Sequence, residues 1–227
     1  MAARSPTWLL LFAHIACVAP DSIESDSAEP SEDVAVAHVE EDRLPLSPVA
    51  ASATAAPAVD EVACPQHLRC DFDALRRDPK LVIDAIRVEK AAHRLYLLSD
   101  ETAVKSYRVA LGWGGAGFKR QEGDGVTPVG SYKLTGRLAT SPWHLLIGVS
   151  YPNYEDVKRF AAMKRAGEVA PDANIGFGIA LHGRRKDALD GEHKKTDWTA
   201  GCIAVDNDEI EEIAGLVKTV TPITVVD

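Results

Sequence analysis

The most informative stretch of this 227-residue chain is Asp197-Trp198-Thr199-Ala200-Gly201-Cys202-Ile203-Ala204-Val205. Twenty residues before its cysteine, a short apolar run ends in His182-Gly183. A cysteine attacks as the thiolate, so a catalytic cysteine needs a neighbouring group that takes its proton. A histidine at the end of a strand can be that group, because the strand aims its side chain rigidly. The two segments therefore predict a nucleophile at Cys202 and a general base at His182.

The turn that precedes the cysteine predicts the rest of such a site. Within residues 199–202, the backbone N–H groups of Gly201 and Cys202 are expected to point at a developing oxyanion. Gly183 has no side chain, so the backbone can approach closely beside the histidine. This interpretation requires the imidazole to lie within proton-transfer reach of the sulfur, in a cleft that is open to solvent.

A third group should orient the imidazole, and the sequence leaves its identity open. A backbone carbonyl near Gly183 is one candidate. The side-chain candidates are Asp187, Asp190 and Asp197.

Composition narrows the classes of function. The formal net charge is −9 and no Lys/Arg-rich run is present, so we do not expect a nucleic-acid partner. A hydrophobic content of 46% over this length suffices for one domain with additional segments. Part of the acidity belongs to residues 21–42, so the charge says little about the substrate.

The first 17 residues have the pattern of an export signal. Arg4 precedes an apolar stretch of roughly ten residues that ends near Cys17 and is too short to span a bilayer. The alternative, a buried N-terminal helix, is disfavoured by the polar, proline-containing residues that follow at once. Cleavage before Cys17 would resemble the processing of a bacterial lipoprotein and would make this cysteine a lipid anchor, although His14 replaces the usual leucine of that signal.

Two further segments precede the catalytic region. Residues 18–62 are rich in Ala, Pro, Ser, Asp and Glu, which predicts a disordered tether. Residues 63–81 are interpreted as a short helical lead-in. In it, Cys64 and Cys70 are close enough in sequence for a disulfide in an oxidising compartment. Metal binding by this pair with His67 is the weaker alternative, because no second ligand cluster is evident.

From residue 82 to 227 the pattern is mostly that of strands. Apolar residues alternate or form short runs between polar turns, while residues 112–130 form a long glycine-rich loop. Two helices are predicted at 153–166 and 206–217, with an N-cap at Asn153 and a stop at Gly167 for the first of them. We therefore expect a mostly β domain, built as a curved or sandwich-like sheet with one or two flanking helices.

Residues 82–227 resemble the L,D-transpeptidase catalytic domain (YkuD-type) and, within it, the YafK-like branch. His182-Gly183, a spacer and then Thr199-Ala200-Gly201-Cys202 match the pattern His-Gly followed by Ser/Thr-x-Gly-Cys. The matching neighbours are Gly123-Asp124-Gly125-Val126-Thr127-Pro128-Val129-Gly130, Val149-Ser150-Tyr151-Pro152-Asn153 and Asp197-Trp198. One departure is that many members carry an arginine where this chain has Ala204. The basic residues Arg184, Arg185 and Lys186 are candidates to replace it, the alternative being a solvated loop.

The resemblance implies roles for these residues. Cys202 would be the nucleophile that accepts the acyl group and His182 the general base, while Gly201, Thr199 and Gly183 would shape the nucleophile turn and oxyanion site. The substrate groove would be lined by Asp124, Gly125, Thr127, Pro128 and Trp198. Neither a metal nor an organic cofactor is implied.

The resemblance also implies a reaction on peptidoglycan stem peptides in the bacterial periplasm or cell envelope, through a thioester on Cys202. Resolution by an amine gives transpeptidation. Resolution by water gives a carboxypeptidase or an amidase that releases a murein-linked lipoprotein. Two other interpretations remain: a non-catalytic peptidoglycan-binding lipoprotein, in which Cys202 is a small core residue, and a thiol redox protein, disfavoured because Cys202 has no CxxC partner.

Overall fold

The structure is a computed structural model that describes residues 63–227. Within this range the strands are β1 (Arg69–Cys70), β2 (Ala85–Glu89), β3 (Arg94–Ser99), β4 (Thr102–Arg108), β5 (Gly130–Ser141), β6 (His144–Val149), β7 (Ala180–His182), β8 (Ile203–Ala204) and β9 (Pro222–Val226). The helices are α1 (Ala74–Arg77), α2 (Tyr154–Ala166) and α3 (Asn207–Leu216), with a 3₁₀ turn at Glu192–Lys194. No helix of the described part is long and apolar enough to cross a membrane. The predicted export signal, the tether and Cys17 lie outside the described residues.

All nine strands belong to one mixed sheet in the order β1-β4-β3-β2-β9-β5-β6-β7-β8. The pairs β1–β4, β2–β9 and β7–β8 are parallel, and the others are antiparallel. An antiparallel bridge between Ala110, just beyond β4, and Ala204 in β8 brings the two ends of this order together. The sheet is therefore strongly curved, and the prediction of a mostly β fold with a curved sheet is confirmed.

The core lies between the curved sheet and α3. Val88, Leu95 and Leu97 from the early strands are 0% exposed, and Ile210 and Ile213 of α3 are buried in the same cluster. Burying a side chain of this size contributes about 1.5–3 kcal/mol relative to leaving it exposed. Because the residues that precede α3 are those of β8, packing α3 on this core also fixes the strand that follows Cys202.

Both predicted helices begin and end where the local signals place them. Asn153 caps α2, accepting from the backbone N–H of Asp156 and donating its own backbone N–H to the Asp156 carboxylate, and Gly167 ends the helix with φ +71°. Asp206 is the N-cap of α3, and its backbone N–H donates to the Glu209 carboxylate at 2.8 Å, while the Glu209 N–H donates to Asp208. Such boxes satisfy the backbone donors that the first helical turn leaves unpaired.

The lead-in differs from its prediction as a helical segment. Only α1, a single turn, is helical, and β1 pairs in parallel with β4 through Arg69↔Thr102 and Cys70↔Ala103. Cys64 and Cys70 form a disulfide with Cα atoms 5.8 Å apart, and His67 lies 2.5 Å from the Glu89 carboxylate. These contacts replace the metal-binding alternative. A two-residue strand has no detectable periodicity, so its pairing with a distant strand was not predictable.

Candidate active site

The register of β7 and β8 places His182 and Cys202 on one face of the sheet. His182, the last residue of β7, pairs in parallel with Ala204 of β8. Cys202 lies two residues before Ala204, and side chains two apart along a strand point to the same face. Such a diagonal relation spans about 7–8 Å between Cα atoms, which long and aromatic side chains bridge. The register thus favours a position for Cys202 on the face that carries His182, and proton-transfer contact between the two stays a prediction.

Two tryptophans connect these side chains. Trp143 packs in one buried cluster with Cys202, and Trp198 packs against that cluster. The same two indoles flank the imidazole of His182, each with its ring centroid 5.7 Å from the imidazole centroid. The two tryptophans that flank His182 thus belong to, or pack against, the cluster that contains Cys202. Trp198 was a predicted site residue, whereas Trp143 lies in a turn that carries no recognisable motif.

A backbone carbonyl fixes the tautomer of His182. Its Nδ1 lies 2.6 Å from the carbonyl oxygen of Gly183, and because that oxygen can only accept, Nδ1 carries the proton. Nε2 is then the ring atom with the lone pair, as a general base requires. The three carboxylate candidates are engaged elsewhere: Asp187 with Arg185, Asp190 with Arg184, and Asp197 with Leu111 N and His93.

His182 is neutral at physiological pH. Its side chain is completely buried, and this desolvation lowers the pKa of His182 to about 4, against the smaller opposite effect of the Gly183 hydrogen bond. His193 lowers this pKa further through its charge. An imidazole that does not hold a proton at rest is free to accept one, as the predicted role of general base requires; that role stays a prediction.

We expect this lowered pKa to be visible in the stability of the protein. Between about pH 6.5 and pH 4 the unfolded histidine binds a proton that the folded one does not, so stability falls as the pH falls through this window. At pH 5 this proton binding by the unfolded histidine lowers the free energy of unfolding by about 2 kcal/mol relative to pH 7.5. Urea unfolding of the wild type and His182→Gln at both pH values measures it. Equal pH dependence in the two proteins would contradict the assignment.

Both predicted catalytic side chains are buried, with 0% exposure of Cys202 and of His182. This differs from the solvent-open cleft that the sequence interpretation requires. The sulfur lies 3.6 Å from the carbonyl oxygen of Gly178, the residue two positions before β7. A peptide can therefore reach Cys202 only when neighbouring residues move aside.

The nucleophile turn is held by the hydroxyl of Thr199. This oxygen accepts from the backbone N–H of Gly201 at 3.2 Å and donates to the carbonyl of Cys202 at 2.7 Å. Gly201 has φ +128°, a conformation that L side chains rarely adopt. The expectation that the Gly201 N–H is free for an oxyanion is therefore wrong for this structure, because Thr199 uses it to close the turn.

The glycine-rich loop of residues 112–130, which follows β4, packs against the nucleophile turn. The backbone N–H of Gly112 donates to the hydroxyl of Thr127 at 2.8 Å, and Gly112 forms a parallel bridge with Thr199. The backbone N–H of Trp113 donates to the Thr199 carbonyl at 3.0 Å. Thr127 and the following Pro128 are buried. These groove candidates thus lie against the nucleophile turn, and contact between them and substrate stays a prediction.

Asp124 organises the same loop. Its carboxylate lies 2.6 Å from Lys119 Nζ and accepts three backbone N–H groups, from Arg120, Gln121 and Val126. Burial raises the pKa of Asp124, but these hydrogen bonds outweigh it, so the pKa is lowered overall. The adjacent Gly125 has φ +67° and lies against the indole of Trp113. Asp124 and Gly125 therefore shape the loop, which was predicted only as a wall of the groove.

Gly112 offers a test of this support. A Cβ at Gly112 would lie 2.0 Å from the carbonyl oxygen of Gly125 and 2.9 Å from Cα of Gly201, both backbone atoms. We expect Gly112→Ala to reduce turnover at least about tenfold and stability by about 1–3 kcal/mol, because the nucleophile turn must shift. Gly136→Ala, which meets no atom within 4 Å, is the matched control. Turnover assays and urea unfolding of both variants test this expectation. Equal turnover and equal stability of Gly112→Ala and Gly136→Ala would contradict the role of Gly112.

Position 204 carries no cation. Ala204 is fully buried, and its backbone exchanges two hydrogen bonds with Ala110. Of the candidates to replace the missing arginine, Arg184 is bound by Asp190 and by the carbonyl of Ala188, within its own loop. Arg185 likewise faces Asp187. These contacts of Arg184 and Arg185 within their own loop favour the alternative, a solvated basic loop, over a replacement for the arginine.

Within residues 63–227, no group of three or more His, Cys, Asp or Glu side chains is arranged to hold a metal ion.

Comparison with known proteins identifies the family of this chain. The model of the L,D-transpeptidase catalytic domain family, YkuD, matches residues 83–225, which include the His182 and Cys202 segments. No significant match was found among curated protein sequences.

Similar solved structures include the helical cell shape determining protein Pgp2 of Campylobacter jejuni, at 25% identity and a TM-score of 0.46 over 62% of this chain and 46% of that one. Bd1075 of Bdellovibrio bacteriovorus is 22% identical, with a TM-score of 0.41 over 66% and 49%. Mycobacterium tuberculosis L,D-transpeptidase 1 is 14% identical, with a TM-score of 0.36 over 63% and 60%. The chain spans about half the length of the first two. On the match over residues 83–225, this chain belongs to the L,D-transpeptidase catalytic domain family.

Proposed function

We propose that this protein is a cell-envelope cysteine acyltransferase that acts on peptidoglycan stem peptides through a thioester on Cys202. Membership of the family supports the reaction class. The observation that carries the assignment of residues is the hydrogen bond from His182 Nδ1 to the Gly183 carbonyl, which leaves Nε2 as the basic atom on the face shared with Cys202. A buried histidine with a purely structural role would be expected to use both of its nitrogens.

The first half of the reaction follows from this pair. Nε2 of His182 takes the proton of the Cys202 thiol as sulfur attacks the carbonyl carbon of the donor peptide bond. The C–S bond forms and the carbonyl π electrons move to oxygen. When the tetrahedral intermediate collapses, the C–N bond breaks and the imidazolium returns its proton to the departing amine. Cys202 is left as a thioester and His182 as the neutral base.

The second half reverses these proton movements. An amine, or water, loses a proton to Nε2 of His182 while it attacks the thioester carbonyl, and the sulfur leaves as the thiolate and is reprotonated. During both halves the oxyanion needs donors. The Gly201 N–H can supply one if it exchanges its 3.2 Å contact with Thr199 for the oxyanion.

The remaining organisation of the chain is part of the proposal. Residues 1–17 would direct export, with Cys17 as the candidate lipid anchor, and residues 18–62 would tether the catalytic domain 82–227 near a membrane in the bacterial envelope. Such a tether keeps the domain within reach of the cell wall. A murein-linked lipoprotein would be the partner if the enzyme hydrolyses rather than transfers.

Incubating the protein with tetrapeptide-containing muropeptides, followed by mass spectrometry, tests the proposal. A thiol reductant is included because the thiol, not a disulfide, is the precursor of the nucleophile. New cross-linked or exchanged products support transfer. Shortened or released stems would identify a hydrolase that shares the first half of the mechanism. Unchanged muropeptides with retained binding would overturn the enzymatic assignment in favour of a peptidoglycan-binding protein.

A further inference from the structure

Three buried nitrogens close to the nucleophile have no hydrogen-bond partner. Among the described residues, the buried side-chain polar atoms without a partner are Nε2 of His182, Nδ1 of His193 and Nε1 of Trp198. The ring centroid of Trp198 lies 5.7 Å from that of His182 and 6.2 Å from that of His193. Buried polar groups are nearly always paired, so three unpartnered nitrogens around one indole indicate a place that a polar ligand fills.

The proposed role of His182 as general base explains why its Nε2 has no hydrogen-bond partner. It does not explain why Nδ1 of His193 and Nε1 of Trp198 have none. Trp198 Nε1 can only donate a hydrogen bond. The His193 side chain is only 5% exposed, and its Nε2 lies 2.8 Å from the Asp206 carboxylate, to which it donates. His193 Nδ1 is therefore the atom that remains for a ligand, and Asp206 holds the ring in place.

Charged side chains lie beside His193 at the start of α3. Asp206 at the start of α3 and Glu209 one turn later both bind Lys194, at 2.6 and 2.7 Å. With a proton on both ring nitrogens, His193 would present Nδ1–H as a second donor beside the indole N–H of Trp198. His182, whose ring centroid lies 5.7 Å from that of Trp198, is another titratable group beside this indole.

We propose that His193 and Trp198 form a subsite for a carboxylate of the substrate, next to Cys202. The two carboxylate oxygens accept from Nδ1–H of protonated His193 and from Nε1–H of Trp198, a charge-assisted pair of hydrogen bonds. This inference rests on the proposed function and adds a specificity determinant to it. Neither residue takes part in bond making, so both are positioning residues.

Binding measurements on Cys202→Ala separate this inference from the proposed function, because they do not require turnover. A stem tetrapeptide with a free terminal carboxylate is compared with its carboxamide. We expect the acid to bind about tenfold more tightly, and His193→Gln in the same background to reduce that preference to about twofold or less. Trp198→Phe keeps the ring and removes the donor, so it should weaken binding of the acid while affecting the amide less.

The carboxylate could belong to the acyl donor or to the acceptor, and a second pair of probes distinguishes them. A D-amino acid and its amide are compared as acceptors in turnover assays, with KM and kcat determined separately. In the wild type, a lower KM for the D-amino acid than for its amide would show a preference for the acid. If His193→Gln abolishes this difference in KM and leaves kcat unchanged, the subsite belongs to the acceptor.

His67→Gln is the matched control, because His67 also pairs with a carboxylate, that of Glu89, in the lead-in. It should leave the acid-to-amide ratio unchanged. The inference is overturned if His193→Gln, shown by its thermal unfolding to be folded, retains the wild-type ratio for both the donor and the acceptor probes.

Discussion

Cys202→Ala is expected to lower the turnover of tetrapeptide muropeptides by at least about 10³-fold, to the background of the assay. The alanine removes the sulfur that carries the acyl group in the proposed mechanism. Neither His182 nor Trp198 has a thiol that could form a thioester in its place. Because the change deletes one sulfur from a buried position, we expect a loss of only about 1–2 kcal/mol in stability and an unchanged circular dichroism spectrum.

Mass spectrometry of the muropeptides and of the protein checks this expectation. The wild type should gain the mass of the acyl group on Cys202, or of a carbapenem or iodoacetamide offered near neutral pH. Cys202→Ser, which keeps the shape of the side chain, is the control for packing and should also be inactive. Retained turnover in Cys202→Ala would remove this residue from the mechanism.

His182→Gln is expected to lower turnover by about 10²–10⁴-fold. Glutamine fills a similar volume and can still donate to the Gly183 carbonyl, but it cannot take a proton from the thiol. Since the pKa of His182 is lowered to about 4, the imidazole is neutral near pH 7. The variant should therefore lose the proton acceptor without losing a charge that holds the site together.

The alkylation rate of Cys202, measured as a function of pH, gives a readout that a structural role would not change. Without the base, alkylation should be slow near neutral pH and rise only toward the ordinary pKa of a thiol, about 8.5. His67→Gln, a histidine replacement in the lead-in, should behave as the wild type. If His182→Gln kept the wild-type turnover and alkylation profile, another group would have to be the base.

Signals that act within a few residues were predictable from the sequence. The caps at Asn153 and Asp206 place α2 and α3 correctly because a helix end is decided by groups three residues apart. The alternation of the early strands likewise indicates a mostly β domain. The motif around Cys202, together with His182-Gly183, identifies the family that the match over residues 83–225 shows.

Partners that are distant in sequence were not predictable. The predicted role of Asp124 was in the groove wall, yet its oxygens bind four groups of its own loop. Trp143 and His193 carry no motif, and they join the site only because β6, β7 and the segment before β8 are brought together. Side-chain spacing along a strand does not reveal which strand will pair beside it.

The sequence by itself therefore determined the class of fold, the two helices and the family, since each depends on local periodicity, capping or a contiguous motif, while Cys202 and His182 stay its predictions for the nucleophile and the base. Only the tertiary structure decided that the Gly183 carbonyl orients His182, that Thr199 occupies the Gly201 N–H, and that His193 stands beside Trp198. These contacts depend on the register of β7 against β8 and on the path of the loops between them, which are set by packing across the whole sheet.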